Sequence, residues 1–262
     1  MKTQAVIEYI VQWMTDYARE AHSTGFVIGI SGGIDSAVSS TLAARTGLPT
    51  LCLTLPIHQA PSHVSRAEEQ VAFLKKNYAN VSSLDVDLSP AYDQLVDLLP
   101  STDDTHRLDL TRANTRSRLR MVTLYYMAGL RNALVVGTGN KIEDFGVGFF
   151  TKYGDGGVDL SPIADLTKSK VYELAEALDI CASIRQAAPS DGLFDTDRTD
   201  EDQLGASYPE LEQAMEYVSR GGTSDQLSGR DREVVEIFLA RNRANRHKME
   251  PIPVCTLPDE LR

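Results

Sequence analysis

The chain has 262 residues, 42% of them hydrophobic, with 37 acidic and 26 basic side chains and a net charge of −11. That length can bury a full core as one α/β domain, read here as 1–262, and the acidic balance argues against a nucleic-acid binder. Three widely spaced cysteines, Cys52, Cys181 and Cys255, form neither a disulfide framework nor a zinc pattern and fit a reducing cytoplasm.

Residues 3–21 place Ile7, Ile10, Val11, Met14 and Ala18 on one helical face. Glu8, Asp16, Arg19 and Glu20 interrupt the apolar residues, which excludes a signal peptide or membrane span. Strands are predicted at 26–30, 50–55, 84–88 and 133–137, separated by helices near 34–46, 63–78 and 112–131. Strands alternating with helices predict a parallel sheet, with ligands beyond the C-terminal ends of the strands. Further helical patterns fall at 167–179, 208–219 and 230–245. Two segments lack periodicity: the polar stretch 100–110, and 189–206, which is acidic and reads as a mobile loop that closes over a ligand.

The first strand ends in Gly29-Ile30-Ser31-Gly32-Gly33-Ile34-Asp35-Ser36, and a helical segment follows. Glycines let backbone N–H groups converge on an anion, and a helix start adds partial positive charge. The missing Gly-Lys-Ser/Thr ending and the glycine spacing exclude the kinase-type phosphate loop and the dinucleotide fingerprint. Asp35 is anomalous, because a carboxylate in a phosphate nest repels its ligand unless a cation intervenes. It suggests Mg²⁺ bridging to a pyrophosphate. The fourth strand ends similarly in Gly137-Thr138-Gly139-Asn140-Lys141-Ile142-Glu143, which puts both loops on one rim. Phe149 through Asp159 (Phe-Phe-Thr-Lys-Tyr-Gly-Asp-Gly-Gly-Val-Asp) then surrounds three glycines with charge, and Leu166-Thr167-Lys168 follows.

Ser-Gly-Gly-x-Asp-Ser after a strand resembles the loop of the N-type ATP pyrophosphatases. With Asn114 through Met121, Thr138, Glu143, the Phe149–Asp159 string, Leu166-Thr167-Lys168 and His247-Lys248, the whole chain resembles the ATP-dependent NAD synthetases, in their ammonia-dependent form. The resemblance implies a flavodoxin-like or Rossmann-like parallel sheet of the adenine nucleotide α-hydrolase type and a homodimer. It implies a ligase of NAD biosynthesis in which ATP adenylates the carboxylate of deamido-NAD, ammonia displaces AMP, and pyrophosphate is released. Carried over residue by residue, Gly29, Ile30, Ser31, Gly32, Gly33, Ile34, Asp35, Ser36, Thr138, Lys168 and Ser190 would bind ATP, with Asp35, Thr138 and Lys168 catalytic. Asp35 and Glu143 would hold Mg²⁺, and Arg118, Lys152, Asp159, His247 and Lys248 would bind deamido-NAD. Arg116, Arg118 and Arg120 cannot all share one helical face, so one or two should reach the ligand.

Leu55-Pro56-Ile57-His58-Gln59-Ala60-Pro61-Ser62-His63 departs from the more acidic stretch of many ammonia-dependent relatives, which leaves the adenine contacts open. One extra residue before Phe149 is similar to the glutamine-dependent branch, so a separate glutaminase could supply the ammonia. Two rival functions remain. One is another ligase of the superfamily, such as a GMP synthetase subunit or a tRNA-thiolating enzyme. The other is a non-catalytic nucleotide sensor, which the retention of Asp35 and Glu143 disfavours.

Overall fold

The computed structural model of the chain describes residues 1–189 and 199–262. Its first half alternates helix and strand: α1 (Thr3–Glu20), β1 (Gly25–Gly29), α2 (Ile34–Arg45), β2 (Thr50–Thr54), α3 (Pro61–Asn77), β3 (Val81–Asp85), α4 (Ser89–Asp97), α5 (Thr105–Arg131) and β4 (Ala133–Val135). A π-helical turn at Ile142–Val147 and then α6 (Lys168–Ala177), α7 (Ala182–Arg185), α8 (Asp200–Leu204), α9 (Tyr208–Ser219) and α10 (Gly229–Met249) complete the chain.

The strands form a parallel sheet in the order β3-β2-β1-β4, with Phe26 opposite Thr50 and Leu134, and Thr50 opposite Val81. A parallel bridge between Val136 and Leu160 extends it past β4. The order reverses between β1 and β4, and in open α/β sheets such a switch point opens a crevice at the C-terminal strand ends. Side chains alternate across β1: Phe26 and Ile28 join Ile7, Met14, Val38 and Leu42 on one face, whereas Val27 joins Leu51, Leu53, Tyr92 and Ala128 on the other. Burial on both faces explains why the strand reads as an unbroken apolar run, and each such side chain contributes about 1.5–3 kcal/mol of transfer free energy. A further cluster, with Tyr208, Leu211, Val234 and Phe238, packs α9 and α10 on Ile142 and Val147 of the π-helical turn.

Several elements differ from the sequence expectation, among them α7 and the π-helical turn, which fall where no element was placed. Helix α5 begins at Thr105, inside the supposedly aperiodic 100–110 stretch, because the Asp104 side chain accepts from Arg107 N (3.0 Å) and caps it. Strand β3 lies three residues earlier than expected, since its register follows β2 rather than the apolar content of an exposed strand. Helix α4 lies in a stretch where the sequence reading placed no element. Of the expected loop 189–206, residues 199–204 form a capping box on Thr199 and Asp202 followed by α8; residues 190–198, and with them Ser190 and the closure expected there, lie outside the described residues.

Candidate active site

The loop between β1 and α2 is held by its own serines. Ser31 Oγ lies 3.0 Å from Ser36 Oγ, Gly33 N donates to Ser31 Oγ (3.2 Å), and Ser36 Oγ donates to Gly33 O (2.9 Å). Gly32 sits at φ +83°, and a Cβ there would meet His63 O of α3 at 2.5 Å, so the loop requires glycine for both conformation and close approach. The first turn of α2 then presents its open N–H groups to the crevice.

Three other segments converge on Asp35, which is in that first turn. Buried Asn140 donates Nδ2 to Asp35 Oδ1 (3.3 Å), while its Oδ1 accepts from Ile142 N (3.1 Å) and Glu143 N (3.2 Å), starting the π-helical turn. Lys168, the first residue of α6, donates Nζ to Asp35 Oδ2 (2.5 Å) and Glu143 Oε1 (3.0 Å). Tyr208 of α9 donates its hydroxyl to Glu143 Oε1 (2.5 Å) and lies 3.2 Å from Asp200 Oδ2, with the Lys168 ammonium 4.7 Å from its ring centre. Burial acts to lower the Lys168 pKa, but Asp35 and Glu143 outweigh it and hold the ammonium above its ordinary value. Two carboxylates share that ammonium, so burial and Glu143 raise Asp35 even against the pull of Lys168.

Asp35, Glu143, Lys168 and Asp200 line a cavity of about 240 Å³ at the switch point. Gly29 through Ser36, Thr138, Glu143 and Lys168 all border it, which covers each described ATP-side residue expected from sequence. Asp144 and Arg66 also border it, although the sequence reading gave them no role, as do Asp155 of the glycine string and Arg120, one of the three α5 arginines of which one or two were expected to reach the ligand. The Asp155 carboxyl is raised by desolvation, partly offset by hydrogen bonds from Ser117 Oγ (2.7 Å) and Thr151 N (2.9 Å). Asp144, pressed against Gly139 where a Cβ would fall within 2.1 Å of it, is pushed up to about 8 by burial and by Glu143, Asp155 and Asp35. The adjacency of Asp144 to Glu143 and the setting of Asp155 in its glycine string were visible in sequence. Tyr208 carries no local signal.

The five residues expected to bind the dinucleotide do not border this cavity. Four of them form a neighbouring basic cluster: Arg118 Nε donates to Lys152 O (3.2 Å), Lys152 Nζ to His247 O (2.5 Å), and Lys248 Nζ to Gly148 O and Phe150 O (2.9 Å each). Burial lowers the Lys248 pKa. Asp159 lies apart, its carboxylate accepting from Tyr125 OH (3.0 Å) and Val135 N (2.8 Å), which ties β4 to the next strand segment. The three arginines of α5 separate as the helical spacing requires: Arg120 Nε donates to Leu55 O at the cavity (2.9 Å), Arg116 stacks 5.0 Å from the Tyr92 ring centre, and Arg118 joins the basic cluster.

Asp35 Oδ2 and Glu143 Oε1 face one point, now filled by the Lys168 ammonium. Among the described residues no group of three or more metal-ligating side chains occurs. Two carboxylate oxygens suit Mg²⁺ when phosphates and water complete its shell, so the residues fit that ion in the presence of a nucleotide.

A family model described as NAD synthase matches residues 6–252. The chain is 38% identical over 264 residues to the NH(3)-dependent NAD(+) synthetase of Syntrophomonas wolfei, with all of both chains covered. Among solved structures it is similar to NMN synthetase from Francisella tularensis (TM-score 0.83, 32% identity, 99% of each chain). It is also similar to NAD+ synthetase from Burkholderia pseudomallei (TM-score 0.72, 28% identity, 95% of this chain and 90% of that one).

Proposed function

The chain belongs to the NAD synthase family, and we propose from that premise that it amidates the pyridine carboxylate of deamido-NAD with ammonia at the expense of ATP, giving NAD, AMP and pyrophosphate. The observation that carries this reading is the meeting of the glycine loop, Asp35, Glu143 and Lys168 in one cavity at the switch point. A carboxylate resists direct amination because oxide would have to leave. Adenylation replaces oxide by AMP, so the protein's task is positioning and charge stabilisation.

The N–H groups of the Ser31–Ser36 loop and the first turn of α2 hold the phosphates, and the Thr138 hydroxyl adds a donor at the facing strand end. Mg²⁺, held by Asp35 and Glu143 when ATP brings it in, would neutralise phosphate charge. Lys168 changes partner on nucleotide arrival, from the two carboxylates to phosphate, so that the site's positive charge follows the ligand. The Arg118, Lys152, His247 and Lys248 cluster is the acceptor's anchoring region. Asp159 supports it through the backbone.

The finer readings rest on separate supports. Exposed Tyr9, Trp13 and Tyr17 on α1, and Val122, Tyr126 and Leu130 on α5, form two stripes spaced four residues apart, which suits pairing with a second copy. No described helix is long and apolar enough to cross a membrane, and with three free cysteines the cytoplasm is the proposed location. Free ammonia or a separate glutaminase would supply nitrogen to the same site, and the whole of 1–262 acts as one synthetase unit.

A second reading takes nicotinate mononucleotide as acceptor and NMN as product, favoured by the TM-score of 0.83 and 32% identity to the Francisella tularensis NMN synthetase. One experiment separates the two: AMP formation with ATP, Mg²⁺ and ammonium, comparing both acceptors at equal concentration, with glutamine replacing ammonium as a control. Higher kcat/KM with deamido-NAD supports the first reading, and higher kcat/KM with the mononucleotide supports the second. Absence of AMP with either acceptor would discard both.

A further inference from the structure

Lys168 is already shared by two carboxylates, and the cavity wall also carries Asp144 and Asp155. A nucleoside triphosphate brings up to four negative charges to this wall, more than Lys168 and one Mg²⁺ offset, so a further cation beside the glycine loop itself is favoured. Arg66 lies there. It is the sixth residue of α3, within the helix's second turn, it is half-buried, and it borders the cavity. Its Nε donates to Gly32 O (3.2 Å) in the middle of the loop. The same glycine packs so tightly on α3 that a Cβ would lie 2.5 Å from His63 O and 3.2 Å from Arg66 Cβ. Loop and arginine therefore form one rigid unit.

From this geometry we infer that Arg66 is a further catalytic residue, a ligand for the β- and γ-phosphates of ATP that stabilises them as they leave as pyrophosphate. This rests on the proposed adenylation. An oxygen of the acceptor carboxylate bonds to the α-phosphorus while the bond from that phosphorus to the α–β bridging oxygen breaks, and the electron pair departs with pyrophosphate. Negative charge therefore grows on the phosphates beside Gly32. A guanidinium has five N–H donors in a planar fork; Nε is spent on Gly32 O, and the outer nitrogens match phosphate oxygens in pairs. Partial burial limits solvent screening of that contact. The position lies three residues beyond Leu55–His63, the stretch whose adenine contacts the sequence left open, and the hydrogen bond to Gly32 ties the charge to the phosphate end of the nucleotide.

A structural pin on the loop would produce the same hydrogen bond without touching substrate, and the test separates the two. Binding of ATP, pyrophosphate and AMP to the wild type, Arg66→Met and Arg66→Gln is measured by calorimetry, with the rate of adenylation in a single turnover. Arg66→Gln keeps an N–H donor for Gly32 O and loses the charge. The expected result is that both variants bind pyrophosphate and ATP at least 10-fold more weakly, bind AMP within 2-fold of the wild type, and adenylate roughly 100-fold more slowly, in the range for one lost oxyanion donor. Wild-type pyrophosphate affinity in both variants overturns the inference. So does an equal loss for AMP, or Arg66→Gln behaving as the wild type, because either assigns Arg66 to the loop alone. A wild-type protein that binds neither ATP nor pyrophosphate overturns the proposed function and this inference with it.

Discussion

Replacing Lys168 with methionine removes the ammonium that Asp35 and Glu143 share while keeping most of the apolar stem. The three side chains are only 4%, 17% and 15% exposed, so the charges are weakly screened. At an effective dielectric of 20, unit charges at these contact distances attract by roughly 6 kcal/mol per pair, before the cost of desolvating the lysine is subtracted. The two carboxylate oxygens lie 2.5 and 3.0 Å from the same nitrogen, so they are at most about 5.5 Å apart and, without the ammonium, repel by at least about 3 kcal/mol. Partial protonation and water entry relieve some of this. A net loss of about 3–5 kcal/mol is expected, the usual range when one partner leaves a buried ionic group. Urea unfolding at neutral pH in chelator reads it directly as a lower midpoint at constant m. Adding Mg²⁺ without nucleotide should restore part of the loss in Lys168→Met, because a dication can then occupy the vacated point, and should do little to the wild type. A variant within 1 kcal/mol of the wild type in chelator would refute the view that Lys168 is the resident counter-charge of Asp35 and Glu143.

Three further perturbations test other parts of the account. Gly32→Ala, at φ +83° with no room before His63 O, should lower stability by about 1–3 kcal/mol and abolish measurable ATP binding by calorimetry; an alanine variant with normal affinity would remove the case for a rigid phosphate nest. The Asp144 carboxyl, raised by burial to about 8 from an ordinary 3.8, keeps a proton in the folded state that the unfolded chain releases between those values. Stability therefore falls as pH rises through that window. Asp144→Asn should flatten the slope, raising the Tm at pH 8 and leaving it nearly unchanged at pH 4 in metal-free scanning calorimetry; an equal effect at both would contradict the assignment. Trp13→Glu places a charge in the exposed α1 stripe and should shift the sedimentation coefficient from dimer to monomer. A wild type that already sediments as a monomer would dismiss the pairing.

What was legible in the sequence was local. The strand, glycine loop and helix around Ser31–Ser36 need only neighbouring residues to be recognised, and so do the parallel sheet and the loop after β4. Asp35 advertised a cation because it is out of place in a phosphate nest. That Lys168, 133 residues away, supplies a cation at that point depends on α6 starting opposite α2, which no local pattern records. Tyr208 reaches Glu143 from α9 for the same reason. Asp159 shows another limit: a carboxylate beside glycines does not announce in sequence that it accepts from Tyr125 OH and Val135 N. Helix α5 was truncated in the sequence reading because its first turns are polar and solvent-facing, so the apolar period fades even though Asp104 caps them.

The most direct test of the central claim follows the oxygen atoms. Deamido-NAD, or the mononucleotide if that is the better acceptor, is prepared with ¹⁸O in its pyridine carboxylate and turned over once with ATP, Mg²⁺ and ammonium. The account predicts one labelled oxygen in AMP and none in pyrophosphate, because the carboxylate attacks the α-phosphorus and ammonia later displaces that oxygen with AMP. Unlabelled AMP, or label in pyrophosphate or phosphate, would contradict adenylation in this cavity.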